Sequence, residues 1–368
     1  MAKCFLGNRK VYAIVLVLAA VILVSLVGCA PAPTEVRELK LATATPGTSA
    51  LDPMIIQMVE SMGTYSEGAV KIKVYWAGEI AQVKDLPELC RTGSVDMIAT
   101  PPVHYPSIFP LSAAVSMYPM LLPSPDQASY IWRGLLRDIP EVQEDYTKQN
   151  QYCLNRNTLS TYMTISKKPL RTVADFQGLK IRGMPGAYFS RVMEEAGATN
   201  NSAMPVPDIY EAFMRGVVDA VMLIPQDFEA LKYYELAKYV SFPVGSIVGL
   251  TCNINLDVWN SLSSKTQKAL TKAATEWGAN EMEHQLTTFD QSIENLKAKG
   301  VQFIEFDQED WGNMLAQAGD PWVAARDTLV IDLKVDAAVA DKFVNRWHEL
   351  YEEYEKEYVL PGKTWEYK

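Results

Sequence analysis

Apolar and polar positions along this chain repeat with two periods, and the switching between them predicts strands alternating with helices. Over 38–43, Leu39 and Leu41 share one side against polar neighbours, a period of two, until Pro46-Gly47-Thr48-Ser49 breaks it. Met54, Met58, Val59 and Met62 then fall at helical spacing. Gly68 releases the chain into Val70-Lys71-Ile72-Lys73-Val74-Tyr75, a strand with both lysines on its wet face. A helix over 85–92 ends at Gly93, and a short strand over 95–99 stops at Pro101-Pro102. The same order returns further on: a strand over 179–182, a helix over 188–195 ended by Gly197, a helix over 209–215 ended by Gly216, and a strand over 218–224. Strands alternating with helices imply parallel pairing and an α/β fold.

One punctuation occurs twice. Arg91-Thr92-Gly93-Ser94-Val95-Asp96 and Arg215-Gly216-Val217-Val218-Asp219 each end a helix on glycine and open a strand with Val-Asp. Two lobes built to one plan would produce this. The last third differs in texture. Residues 263–297 are nearly free of Gly and Pro apart from Gly278, and predict one or two long helices. Residues 336–358 predict another, with Phe343, Trp347, Leu350 and Tyr354 along one face.

The first residues carry their own pattern. Lys3, Arg9 and Lys10 precede an uncharged run over 11–27, and then come Gly28-Cys29 and Ala30-Pro31-Ala32-Pro33. A basic start, a short apolar stretch and a small residue before the cut describe a secretory signal. Cysteine directly after that small residue is the lipobox pattern, so Cys29 is expected to be acylated as the mature N-terminus. A membrane-spanning helix would leave the Gly-Cys pair unexplained. The segment 1–28 is therefore expected to be removed, and 29–37 to serve as a Pro-rich tether.

At 368 residues the chain exceeds one ordinary core, and 48% hydrophobic with 21% charged residues is the balance of a folded body. Its net charge of -10 argues against nucleic acid as a partner, and loss of Lys3, Arg9 and Lys10 makes the mature chain about -13. Membrane attachment is expected only through the lipid. Cys90, Cys153 and Cys252 have no metal or disulfide spacing and are expected to be buried apolar residues. His104, His284 and His348 are far apart, the last two on charged helical stretches that should face solvent. No nucleophile elbow, phosphate loop, dinucleotide turn or zinc pair appears. No catalytic constellation, metal site or cofactor is expected.

Gly178-Leu179-Lys180-Ile181-Arg182, with Met184-Pro185 behind it, resembles the G-L-K-I-R-x-P signature of the substrate-binding subunits of tripartite ATP-independent periplasmic (TRAP) transporters. One extra residue separates the arginine from the proline. Gly47-Thr48-Ser49, KIKVYWAGEI, RTGSVDM, SKKPLRTVADFQGLKIR, MPVPDIYEAFMRGVVDA and NINLDVWNSLSSKTQKAL stand in that family's order and spacing. The resemblance implies a two-lobe, periplasmic-binding-protein-like α/β fold with a ligand cleft between lobes and long C-terminal helices. It implies residues 38–159 plus 249–285 as lobe I, and 160–248 plus 286–368 as lobe II. It also implies that Arg182 pairs with a ligand carboxylate, a role suited to a planar guanidinium at a strand end.

Departures from the family pattern shape the expected pocket. Tyr162 stands where one branch has a second arginine, Leu223 where the family often has a ligand-binding asparagine, and His104 where that branch has another basic residue. With Trp76 and Phe228 nearby, such a pocket would suit an acid with an apolar or aromatic body. The implied activity is capture of a small organic acid outside the cytoplasmic membrane and its delivery to TRAP permease subunits. Two rival uses of the same chain are a ligand-presenting receptor for a membrane sensor kinase and a lipoprotein hydrolase.

Overall fold

In a computed structural model of the protein, the described residues are 36–245 and 247–358. The expected signal segment, Cys29 and most of the tether lie outside them. The chain divides into Met1–Arg37 and a compact body, Glu38–Lys368; the description concerns that body. Among the described residues, no helix is long and apolar enough to cross a membrane.

In chain order the strands are β1 (Arg37–Thr43), β2 (Val70–Tyr75), β3 (Met97–Thr100), β4 (Gln151–Thr158), β5 (Tyr162–Ser166), β6 (Lys180–Arg182), β7 (Thr199–Asn200), β8 (Ala220–Leu223), β9 (Tyr239–Gly245), β10 (Val248–Asn255) and β11 (Gln302–Phe303). The helices are α1 (Asp52–Tyr65), α2 (Leu86–Arg91), α3 (Pro110–Met117), α4 (Pro125–Asp138), α5 (Pro140–Thr147), α6 (Ala187–Glu195), α7 (Val206–Met214), α8 (Pro225–Ala230), α9 (Leu256–Ser261), α10 (Ser264–Ala298), α11 (Gln308–Ala318), α12 (Pro321–Asp327) and α13 (Ala337–Tyr358).

Two sheets make a two-lobe α/β fold. The first runs β2-β1-β3-β10-β4 and the second β11-β9-β5-β8-β6-β7. Neighbours β1 and β3 are parallel, as are β6 and β8, which is the pairing that strand–helix alternation implies. In each sheet one long strand, β10 or β5, runs antiparallel to its neighbours. The chain passes between sheets from β4 to β5 and again from β9 to β10. Leu159, Ser160 and Thr161 in the first crossing are buried, and Leu159 donates its N–H to the carbonyl of Ile247 in the second, at 3.0 Å. These paired crossings are short and run side by side.

The repeated Val-Asp punctuation has one physical job in both sheets. Asp96 accepts the backbone N–H of Lys40 at 2.8 Å and returns its own N–H to the Lys40 carbonyl at 3.1 Å. Asp219 does the same for Lys180, at 3.2 and 2.7 Å. Gly93 and Gly216, at φ +74° and +77°, make the left-handed turn just before each. The aspartate thus zips the start of one parallel strand to the next.

Residues 263–297 form one helix rather than two. In α10, the Ser263 hydroxyl caps the first turn by accepting from Thr266 N–H at 3.1 Å. At 1.5 Å rise per residue the helix is about 50 Å long, and it packs on α1 and β4 of the first lobe and on α8 of the second. Gly278 permits the contact with β4: a Cβ there would stand 2.7 Å from Asn155 Nδ2 and 2.9 Å from the Arg156 carbonyl. In α13, Phe343, Trp347, Leu350 and Tyr354 are buried, as their spacing predicts. Their partner, however, is α4, whose sequence lies between β3 and β4. The helix expected with the second lobe (286–368) therefore packs on an element from the span assigned to the first. His284 is half-buried rather than solvent-facing, while His348 is exposed and stacks on Trp322. Cys90, Cys153 and Cys252 are buried and unbonded.

Asp219→Ala removes the acceptor for Lys180 N–H two residues before Arg182. We expect a loss of about 1 kcal/mol in urea unfolding, and Asp96→Ala should cost a similar amount. Unchanged midpoints in both variants would contradict the shared role.

Candidate functional site

A cleft of about 360 Å³ lies between the two sheets. Its floor is the pair of crossings, with Leu159, Tyr162, Ile247, Gly249 and Leu250. One wall comes from the turns after β1 and β3, including Ser49, Leu51 and Val103, and the other from the carboxyl ends of β6 and β8. Ligand sites in open α/β sheets form at such strand ends.

Arg182, Tyr162, Leu223 and His104, expected together from sequence, all line this cleft. Arg182 is the last residue of β6, which sits between β7 and β8. The turn after it is locked by Asn200, which accepts the N–H of Gly183 at 3.0 Å and donates to the Met184 carbonyl at 2.8 Å. The Arg182 side chain is only 4% exposed. Its Nε and Nη2 share the Met204 carbonyl, at 3.4 and 3.2 Å. Its Nη1 has no protein partner among the described residues and is not a sealed buried atom. Among the described residues no carboxylate pairs with it within 4 Å. Burial accordingly pulls its pKa down.

A second buried arginine shows the contrast. Arg156 of β4 donates to the Ser112 carbonyl at 2.8 Å and to the Ser116 hydroxyl at 2.5 Å, with its guanidinium over the Trp132 ring. That fork is spent on holding α3 and α4. The Arg182 fork is anchored from behind and open in front.

His104 ends the turn after β3, and burial, with the charge of Arg182 second, lowers its pKa to about 4. It is a neutral imidazole at neutral pH. Burial also pushes the Tyr162 phenol up, so it stays protonated, and its hydroxyl makes no hydrogen bond among the described residues. Leu223 closes β8 and adds apolar surface. Trp76 and Phe228 stand elsewhere. The Trp76 indole packs on Gly47, where a Cβ would lie 3.1 Å from the ring, and Phe228 is fully buried against Tyr233. Neither is among the lining residues.

The cleft also holds a carboxylate that sequence patterning does not mark. Asp227 sits in the first turn of α8 and is 7% exposed. Its Oδ1 accepts from the Ser49 hydroxyl at 2.9 Å and from Ala50 N–H at 3.2 Å, tying the two walls together. Burial raises its pKa to about 6. Behind it, Gln226 bridges the lobes: it accepts from Ser160 at 2.9 Å and donates to the Gln285 carbonyl of α10 at 3.0 Å. Glu281, one turn earlier on α10, is wholly buried and accepts from Gln285 at 2.7 Å. Burial first, with Asp227 and Asp52 adding repulsion, raises it to about 8. A lone Asp in the first turn of a six-residue helix looks like ordinary dipole decoration, which is why sequence alone does not single it out.

Among the described residues no group of three or more His, Cys, Asp or Glu is placed to hold a metal ion. What the site offers is one buried cation with a free donor, a phenol, a neutral imidazole and one buried carboxylate on otherwise apolar walls. It is suited to binding.

The chain matches the family model for bacterial extracellular solute-binding protein, family 7, over residues 42–324. A solute-binding protein of Chromohalobacter salexigens is 24% identical over 271 residues, 72% of this chain and 76% of that protein. Two solved structures share the fold. An extracytoplasmic solute receptor of Bordetella pertussis that binds pyroglutamic acid superposes with a TM-score of 0.73 at 17% identity, over 86% of this chain and 99% of that one. A TRAP periplasmic solute binding protein of Desulfovibrio salexigens with bound orotic acid does so at 0.75 and 17%, with the same coverage.

Glu281 gives a pH test of the buried network. Its folded pKa lies above the unfolded value of 4.5, so its stabilising contribution is full below that value and is lost as pH rises through about 8. Glu281→Gln should flatten the fall in thermal midpoint between about pH 5 and pH 9. Equal slopes in parent and variant would contradict a buried, proton-holding Glu281.

Proposed function

We infer the cargo of this chain from one premise: it belongs to bacterial extracellular solute-binding protein family 7, the substrate-binding subunits of TRAP transporters. Proteins of this family bind small ligands outside the cytoplasm and work with membrane permease subunits. They are receptors, not enzymes. The cargo here is a small organic acid, with its carboxylate held by Arg182. The observation that carries this reading is the Arg182 fork, buried at 4% exposure and pinned from behind by Met204, with Nη1 left to the cleft. An incoming carboxylate supplies the counter-charge that the protein withholds, and a dry cleft strengthens the pair. The pyroglutamic and orotic acids bound by the two structural neighbours are small carboxylic acids, which fits this reading.

Tyr162 and neutral His104 then orient the acid, while Leu51, Val103, Leu223 and Leu250 cover its apolar body. The two lobes, with α13 kept on the first where it packs on α4, close on it about the crossings from β4 to β5 and from β9 to β10. The closed pair of lobes presents a composite surface to the permease. Cys29 carries the lipid that keeps the protein at the outer face of the membrane.

Arg182→Ala should weaken binding of the co-purified acid about tenfold to over a hundredfold by calorimetry. Arg182→Lys keeps the charge but not the fork, so it should also bind poorly. Arg171, exposed in a loop of the same lobe, should tolerate Ala. Parent-like affinity in Arg182→Ala contradicts the reading. For the anchor, Cys29→Ser should leave the protein unprocessed or released, with ligand affinity unchanged. Acylated, correctly cleaved protein in that variant would contradict it.

A further inference from the structure

Asp227 is a costly residue to place where it stands. A carboxylate 7% exposed, on a wall rich in Leu and Pro, loses most of its hydration. Its Oδ1 is compensated by Ser49 and Ala50. Its Oδ2 makes no hydrogen bond among the described residues, yet it is not one of the sealed buried polar atoms, unlike the nearby Asp52 Oδ1 and Glu281 Oε2. Since Asp227 lines the cleft, Oδ2 is the oxygen that the cleft can reach. Arg182 Nη1 is in the same position in the same cavity. Both residues act electrostatically on Tyr162 and on Tyr233, Asp227 raising and Arg182 lowering each phenol. Both charges line one cleft rather than separate pockets.

The cleft thus offers one anion-seeking and one donor-seeking atom, of opposite sign. We propose that Asp227 selects, among small carboxylic acids, those that also carry an N–H donor (a lactam, amide or ammonium), with the carboxylate on Arg182 Nη1 and the N–H on Asp227 Oδ2. An ionised carboxylate is acceptor-only, so it rewards a donor and is left unpaired by an ether or ester oxygen in the same place. Discrimination of this kind is strong, because the wrong ligand strands a buried polar group of the protein. The proposal rests on the carboxylate reading of Arg182 and adds the second contact point.

The test is a calorimetric comparison of matched acids in which ring N–H is exchanged for oxygen. The pairs are pyroglutamate with the lactone of the same shape, proline with tetrahydrofuran carboxylate, and indole carboxylate with benzofuran carboxylate. The parent protein should prefer the N–H member of every pair that binds, by about tenfold or more. Asp227→Asn keeps one oxygen for Ser49 and Ala50 and turns an amide donor to the cleft, so the preference should vanish or reverse. Arg182→Ala should weaken both members of a pair alike. Equal binding within pairs by the parent overturns the proposal without any variant, so a folding defect in Asp227→Asn cannot shelter it. So does an unchanged preference in a folded Asp227→Asn, or a parent protein that binds no member of any pair. If Arg182→Ala retains both members, it is the carboxylate reading that fails. If Arg182→Ala loses both while the parent shows no preference, only the donor selection fails.

Discussion

The rest of the site depends on a buried guanidinium that the protein only half satisfies. Taking Arg182 out of water carries a desolvation cost of several kcal/mol, and burial alone is enough to depress its pKa. A fold tolerates such a charge when its surroundings hold it firmly. Here that support comes in layers. Asp219 zips the start of β6 to the neighbouring strand, Asn200 locks the turn beyond Arg182, and the Met204 carbonyl fixes the back of the fork. Each of these contacts is made by the protein itself and fixes the guanidinium in place, so little side-chain freedom remains to be lost on binding. The open donor then meets its anion in a medium where the attraction is weakly screened.

The same logic applies to the carboxylate that lines this cleft. Asp227 is paired on one oxygen by the loop after β1 and open on the other. It is joined through Gln226 to the crossing at Ser160 and to α10, with Glu281 one turn away. Directional bonds thus tie the lobes together beside the cleft, next to an apolar core that runs through both.

Much of this was legible in the chain, and for identifiable reasons. Strands β1 and β2 and helices α1 and α13 announce themselves because each has one wet and one dry face, and α10 because its span is nearly free of Gly and Pro. The Val-Asp steps were readable as a repeat, although only the geometry reveals that each aspartate accepts a backbone N–H from the neighbouring parallel strand. Arg182 stood out because it closes a motif. The stretch over 101–150 is harder to parse where a helix is short and buried nearly all round, as in α3, where residues from Leu111 to Met117 are all buried and no amphipathic period survives. The partner of α13 was equally hidden, since a helix face says that it packs but not against what. In the site, Trp76 and Phe228 are large aromatics close in sequence to the cleft, yet one shields a glycine turn and the other fills a core. Asp227, next to Phe228, does face the ligand space, and nothing in the local pattern separates it from a surface acid at a helix start.

The central claim is that the cargo is a carboxylic acid seated on Arg182. Its most direct test is a crystal structure of the protein as purified, with whatever ligand it retains, together with mass spectrometry of that ligand. The account predicts a carboxylate in the interlobe cleft within hydrogen-bond distance of Arg182 Nη1. A retained ligand that has no carboxylate, or one whose carboxylate points away from Arg182, would contradict it.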